Sequence, residues 1–128
     1  MKNNEIIAHI NGLNQMEERE KAEIERNKDY KRMNIKVVYR IMKNKQELTK
    51  AIETYNACLK ELLSKYNARV EEGKIIPEDE TKTMELLDEI NDLLDIETDV
   101  EIGKLNLEHF GDCEISQADF ETLAFMVE

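Results

Sequence analysis

MNIKVVYRIMKNKQELTKAIETYNACLKELLSKYNARV, residues 33–70, is the stretch on which the fold turns. Val38, Ile41, Leu48, Ile52, Tyr55, Leu59, Leu62 and Tyr66 step along it by alternating threes and fours, with Lys45 filling one slot. That rhythm is close to a heptad seam, and it predicts one long helix of about 55 Å at a rise of about 1.5 Å per residue. Val37, Met42, Cys58 and Leu63 widen the apolar stripe beyond a two-stranded seam. A wide stripe suits a helix that packs against more than one element. The β-branched start, Ile35 to Val38, leaves a short strand as the alternative there.

Downstream, EEGKIIP at residues 71–77 is the clearest break. Gly73 can stop one helix, and Pro77 can open the next in its first turn. Glu78, Asp79 and Glu80 put negative charge at the positive end of that helix. Met84, Leu87, Ile90 and Leu94, with Leu86 and Leu93, line a second helix over residues 78–95. So short a break predicts an antiparallel helical hairpin.

The period then changes. In TDVEIGKLNLE, residues 98–108, Val100 and Ile102 alternate with Asp99 and Glu101, and Leu105 and Leu107 with Lys104 and Asn106. Gly103 sits where the phase slips, so one or two short strands with a bulge or turn are expected. Such strands must pack on helices or pair with another chain. A terminal helix follows at residues 116–127. Ser116 is its N-cap, Asp119 can complete a capping box, and Ile115 and Phe120 are placed as a hydrophobic staple. Leu123, Phe125, Met126 and Val127 supply its inner side, which implies a docked end.

Upstream, Ile6, Ile7, Ile10 and Leu13 share one face of a short helix at residues 3–14. Residues 15–32 are almost all charged and read either as an exposed helical extension or as a connector. The expectation is therefore one mainly α domain over residues 1–128: a long helix in an antiparallel hairpin, a short β element at about 98–108, and a capped C-terminal helix.

Charge is distributed unevenly. The net charge is −11, but residues 1–70 carry 15 Lys+Arg against 10 Asp+Glu, whereas residues 71–128 carry 3 against 19. Lys36, Arg40, Lys43, Lys45 and Lys50 form a candidate basic surface, and Asp88, Glu89, Asp92, Asp95, Glu97, Asp99 and Glu101 a candidate acidic one. A basic front and an acidic back can neutralise each other within one fold or between copies. That account is preferred to direct nucleic-acid binding by residues 26–50. A dense carboxylate surface also allows the converse reading, competition for another protein's basic groove.

Catalytic chemistry finds little footing. The four glycines are scattered, so no phosphate-binding loop can be drawn. His9 and His109 are the only histidines, and His109 with Cys113 is a pair too small for a zinc site. Asp88, Asp92 and Asp95 can share a helix face but lack calcium-loop spacing. Cys58 reads as a buried free thiol. No enzyme activity, cofactor or metal is expected. The first residues lack a signal-peptide core and no window approaches a membrane span, so the cytoplasm is the expected compartment.

Asn11-Gly12-Leu13, Lys36, Tyr39, Lys43-Asn44, Leu48, Lys65-Tyr66, Leu93-Leu94, Glu97, Val100 and Ile102 form a pattern of turns and apolar positions. It continues through Leu105, Leu107, Gly111-Asp112, Glu114-Ile115-Ser116, Leu123 and Glu128. In these positions the chain resembles a family of small proteins of tailed phages and prophages of Gram-positive bacteria. The resemblance covers about three-quarters of the chain and carries no catalytic residues. It implies a place in the bacterial host cytoplasm or in a virion. The functional expectation is a non-enzymatic adaptor acting through protein–protein contacts with phage or host protein; the alternative is an acidic inhibitor of a host nucleic-acid-binding or defence enzyme. Val38, Ile41, Leu48, Ile52, Tyr55, Leu59, Leu62 and Tyr66 are the candidate interaction surface. A homo-oligomer is expected, because an 18-residue second helix cannot cover a 38-residue stripe.

Overall fold

The computed structural model describes residues 1–29, 33–111 and 115–128. Among these, the chain is mostly helical with one two-stranded antiparallel sheet. Helices α1 (Asn3–Arg26) and α2 (Ile35–Lys65) pack against each other. Strands β1 (Arg69–Glu71) and β2 (Lys74–Ile76), α3 (Thr83–Leu94) and α4 (Gln117–Leu123) follow, with 3-10 turns at Glu80–Lys82, Leu107–Phe110 and Ala124–Met126. The chain divides into two compact units: Met1–Ile6 with Ala51–Asp99, and Ile7–Lys50 with Val100–Glu128.

In the first unit, the last steps of the seam meet α3. Tyr66, Leu86 and Ile90 are buried together, with Leu59, Leu62, Ala68, Ile75 and Leu94 packed around them. Leu86, Ile90 and Leu94 recur every four residues, so one stripe of α3 faces one stripe of α2 in the expected antiparallel hairpin. Asn67, not Gly73, ends α2. It adopts a left-handed φ of 47°. The Ala68 N–H then donates to the Leu63 carbonyl at 2.9 Å, and the Asn67 N–H to the Ser64 carbonyl at 3.1 Å. This is a Schellman closure of the last turn. Gly73 serves elsewhere: Glu72 and Gly73, with φ of 49° and 76°, make the two-residue turn between β1 and β2. Two positive φ values are what a tight hairpin of this kind requires. Asn3 ties the first residues to the end of α3. Its amide nitrogen donates to the Leu93 carbonyl at 2.8 Å, and its amide oxygen accepts from the Thr98 hydroxyl at 2.8 Å.

In the second unit, α1 continues helical through most of the charged stretch. Of the two alternatives for residues 15–32, helix holds as far as Arg26, and residues 30–32 lie outside the described residues. The cause is anchoring that a hydrophobicity pattern undercounts. Met16 is buried beside Leu13, Glu17 accepts from Lys45 at 3.0 Å, Arg19 pairs with Asp119 at 2.8 Å, and Glu23 pairs with Arg26. Val37, Leu48, Leu105, Phe110, Leu123 and Met126 complete the buried apolar set of this unit.

The short β element is at 69–76 and not at 98–108. Residues 100–106 form an extended segment whose Leu105 is buried and whose Val100 and Ile102 are half-buried. One-sided burial of extended chain produces the same alternation as a strand. Here side chains and isolated backbone bonds do the pairing instead of a ladder. The Leu105 N–H donates to the Met126 carbonyl at 2.7 Å and the Glu128 N–H to the Leu105 carbonyl at 2.8 Å. Asn44, only 1% exposed, spans Gly103: its Nδ2 donates to the Gly103 carbonyl at 2.9 Å, and its Oδ1 accepts from the Gly103 N–H at 2.8 Å. The terminal helix is α-helical only to Leu123. Ser116 caps it by accepting from the Asp119 N–H at 3.1 Å. Asp119 gives its carboxylate to Arg19 rather than to a capping box, and Phe120 is exposed rather than stapled.

Candidate protein-binding faces

The apolar seam of α2 is interior. Leu48, Ile52, Tyr55 and Tyr66 are buried, and Val38, Ile41, Leu59 and Leu62 are half-buried. The expected interaction surface is therefore a correction. The stripe was set against an 18-residue partner alone, whereas α1 adds 24 helical residues and the chain supplies further cover of its own. The argument for self-association from a bare stripe lapses with it.

A different row of α2 faces solvent. Ile35 is 78% exposed, Tyr39 61% and Met42 57%. These sit at i, i+4 and i+7, so they line one edge of the helix. One residue further on, at the same spacing, come Lys36, Arg40 and Lys43. Ile35, Lys36, Tyr39, Arg40, Lys104, Leu105 and His109 enclose a shallow groove of about 410 Å³. Its floor is apolar and its rim is cationic.

Local structure places this rim. Asn34 caps α2 by accepting from the Val37 N–H at 3.1 Å, and its amide nitrogen reaches the His109 carbonyl. The turn at Leu107–Phe110 is thereby held at the head of the helix. Asn44 holds Gly103, and the Arg40 side chain lies across Gly103. A methyl group there would stand 2.7 Å from the Arg40 Cδ. The Lys104 ammonium donates to the Phe125 carbonyl at 2.7 Å. Of the candidate basic residues, Lys45 is committed to Glu17 at 3.0 Å, and Lys43 shares Glu47 at 3.7 Å. Lys36 and Lys50 are exposed, and Lys36 has no ion-pair partner among the described residues.

The acidic candidates divide differently. Asp88 and Asp92 are exposed on the outward face of α3, and Asp95 is exposed at its C-cap, again at i, i+4 and i+7. Met84, 69% exposed, opens the same face. Glu97 and Asp99 are exposed beyond the helix, Glu97 facing the Met1 amine at 3.2 Å, and Glu101 is exposed in the second unit. Glu89 is half-buried and already engaged within its unit. It accepts from the Tyr66 hydroxyl at 2.7 Å and from Lys65 at 3.3 Å. The Tyr66 bond, then the Lys65 charge, hold its carboxyl below the ordinary range. Within each unit some of the charge is paired locally, as in Lys45–Glu17 and Lys65–Glu89. The first unit holds 6 Lys+Arg against 15 Asp+Glu, net −9; the second holds 12 against 14, net −2.

Among the described residues, no group of three or more His, Cys, Asp or Glu side chains is arranged to hold a metal ion. Cys58 is half-buried, not fully buried, and Cys113 lies outside the described residues. No described helix is long and apolar enough to cross a membrane. Nothing among family models, curated proteins or solved structures matches the chain.

Proposed function

We propose that the chain works through protein–protein contact, as an assembly or accessory adaptor whose second unit docks an acidic segment tipped with apolar side chains. The observation that carries this reading is the exposed row Ile35, Tyr39 and Met42 lying beside the cationic row Lys36, Arg40 and Lys43. Three large apolar side chains at one helix edge are costly to leave in water, at about 25 cal/mol per Å². A partner that covers them recovers that cost, and carboxylates at its rim answer the lysines and the arginine. Resemblance to small phage proteins supports a setting in a virion or an infected bacterial cell.

Binding of a fluorescently labelled acidic, leucine-bearing helical peptide tests it. The expected result is saturable binding with a Kd of roughly 10–100 μM, weakened at least tenfold by Lys36→Glu with Lys43→Glu and by high salt. Equal binding by the double variant overturns it.

The outward row Asp88, Asp92, Asp95 favours a second reading, an acidic face that competes for the basic groove of a nucleic-acid-binding protein. Displacement of labelled DNA from such a protein, lost on Asp88→Lys with Asp92→Lys and Asp95→Lys, is its expected signature. Absence of displacement at millimolar chain rejects it.

A further inference from the structure

We infer that the partner seated on the basic edge of α2 is the acidic face of α3 from a second copy of this chain. The inference rests on the adaptor reading and names the occupant of the same groove.

The two faces match in charge, in spacing and in apolar content. Lys36, Arg40 and Lys43 follow one another by four and then three residues along α2. Asp88, Asp92 and Asp95 follow by the same four and three along α3. Each row spans about 10 Å of helix, so two helices lying side by side bring three cations against three carboxylates in one register. The apolar parts fit as well. Met84 stands one turn before Asp88, exposed, where a flexible thioether can enter a groove floored by Ile35, Tyr39 and Leu105. Lys36, Lys43, Asp88, Asp92 and Asp95 are exposed, whereas Arg40 is half-buried with its side chain over Gly103. Lys43 and Asp95 have only long contacts, with Glu47 at 3.7 Å and Lys2 at 4.0 Å, and their side chains remain about half or more exposed.

The two surfaces are different patches of one molecule. Their union is heterologous, and each joined pair keeps one free face of each kind. Growth into rings or open chains follows, steepened by concentration and weakened by salt.

Light scattering coupled to size exclusion, across concentration and salt, tests this with two variants. One carries Lys36→Glu and Lys43→Glu; the other carries Asp88→Lys, Asp92→Lys and Asp95→Lys. All five positions are exposed, and circular dichroism verifies that each variant folds. The native chain should exceed its 15.0 kDa monomer mass at low salt and return to it at high salt. Each variant alone should run as a monomer. A mixture of the two should associate again, because the unchanged acidic face of the first meets the unchanged basic edge of the second and the two reversed faces are complementary as well. A native chain that stays monomeric at millimolar concentration and low salt overturns the inference, as does assembly that either variant leaves unchanged. If the native chain is monomeric yet the acidic peptide still binds through Lys36 and Lys43, only the self-partner falls. If neither binds, the adaptor reading falls too.

Discussion

Replacing Asn44 by Ala removes the side chain whose hydrogen bonds tie the extended segment at 100–106 to α2. Two hydrogen bonds disappear, to the Gly103 carbonyl at 2.9 Å and from the Gly103 N–H at 2.8 Å. Each is worth about 1 kcal/mol net, and each backbone group left unpaired costs a further ~1–3 kcal/mol where water cannot reach it. Gly103 is half-buried, so water recovers part of that cost. The lost amide volume adds a cavity at a site where Asn44 is only 1% exposed. Together these give a destabilisation of about 2–4 kcal/mol, a large part of the roughly 5–15 kcal/mol that holds a domain folded. In urea, with a slope of about 1.5–2 kcal/mol per M for a chain of this size, the midpoint should fall by roughly 1–2.7 M. Circular dichroism at 222 nm reads the midpoint, and amide exchange should show the Gly103 and Leu105 N–H groups losing protection first. Asn44→Asp keeps an acceptor for the Gly103 N–H and loses the donor to its carbonyl, so it should fall between. A midpoint within about 0.3 M of native, with Gly103 still protected, would refute the assignment of Asn44 as the clamp.

Leu86→Ala empties the centre of the first unit, where Leu86 is fully buried against Tyr66 and Ile90, and should cost about 2–5 kcal/mol by urea titration. Tyr66→Phe takes from Glu89 its nearest donor, so the Glu89 carboxyl should titrate closer to its ordinary 4.5 when followed by NMR. The sign follows from linkage: a depressed carboxyl stabilises above that value and loses its contribution as pH falls through its folded value, so native acid sensitivity should be blunted in this variant. At the other end, the bond to Glu89 chiefly, and then burial, raise the Tyr66 hydroxyl above its ordinary 10, so stability should decline as pH climbs past 10 in the native chain and less in Tyr66→Phe. Ser116→Ala removes the cap of α4 and should cost about 1 kcal/mol, seen as a lower thermal midpoint with the Asp119 amide exchanging faster.

The helices were legible because their causes are local and repeated. The three-four rhythm through Tyr66, the fourfold recurrence of Leu86, Ile90 and Leu94, and the Ser116 cap all act within a turn or two. Errors fell where one residue type serves two geometries. Gly73 stops helices and also makes tight hairpin turns; here Asn67 had already closed α2, so Gly73 turned the strands. Glu72 at positive φ is an uncommon choice for the other turn position, which hid the hairpin. The alternation at 100–105 was a true report of one-sided burial but not of strand pairing. Asn44, whose side chain replaces the ladder, is 59 residues away in sequence.

The binding faces show a different limit. Along α2 the positions 38, 41 and 48 and the positions 35, 39 and 42 are both apolar rows, separated by roughly a third of a turn of helix. Periodicity counts apolar positions but does not say which row the chain itself will cover. Half of that answer came from α1, whose Met16 and Arg19 anchor a stretch that looked too polar to dock. Once α1 is in place, the seam becomes core and the neighbouring row is left in water. Charge added the rest. Lys36, Arg40 and Lys43 were visible in sequence as a basic cluster, and Asp88, Asp92 and Asp95 as an acidic one. Their shared four-three spacing carries meaning only once Lys36 and Lys43 prove exposed along α2, and Asp88 and Asp92 along α3 with Asp95 at its C-cap. A basic row that had found carboxylates within its own unit would be a solvated, neutralised surface. Lys36 has found none among the described residues, and it borders a groove lined by apolar side chains; that combination is what argues for the proposed docking on this edge of α2.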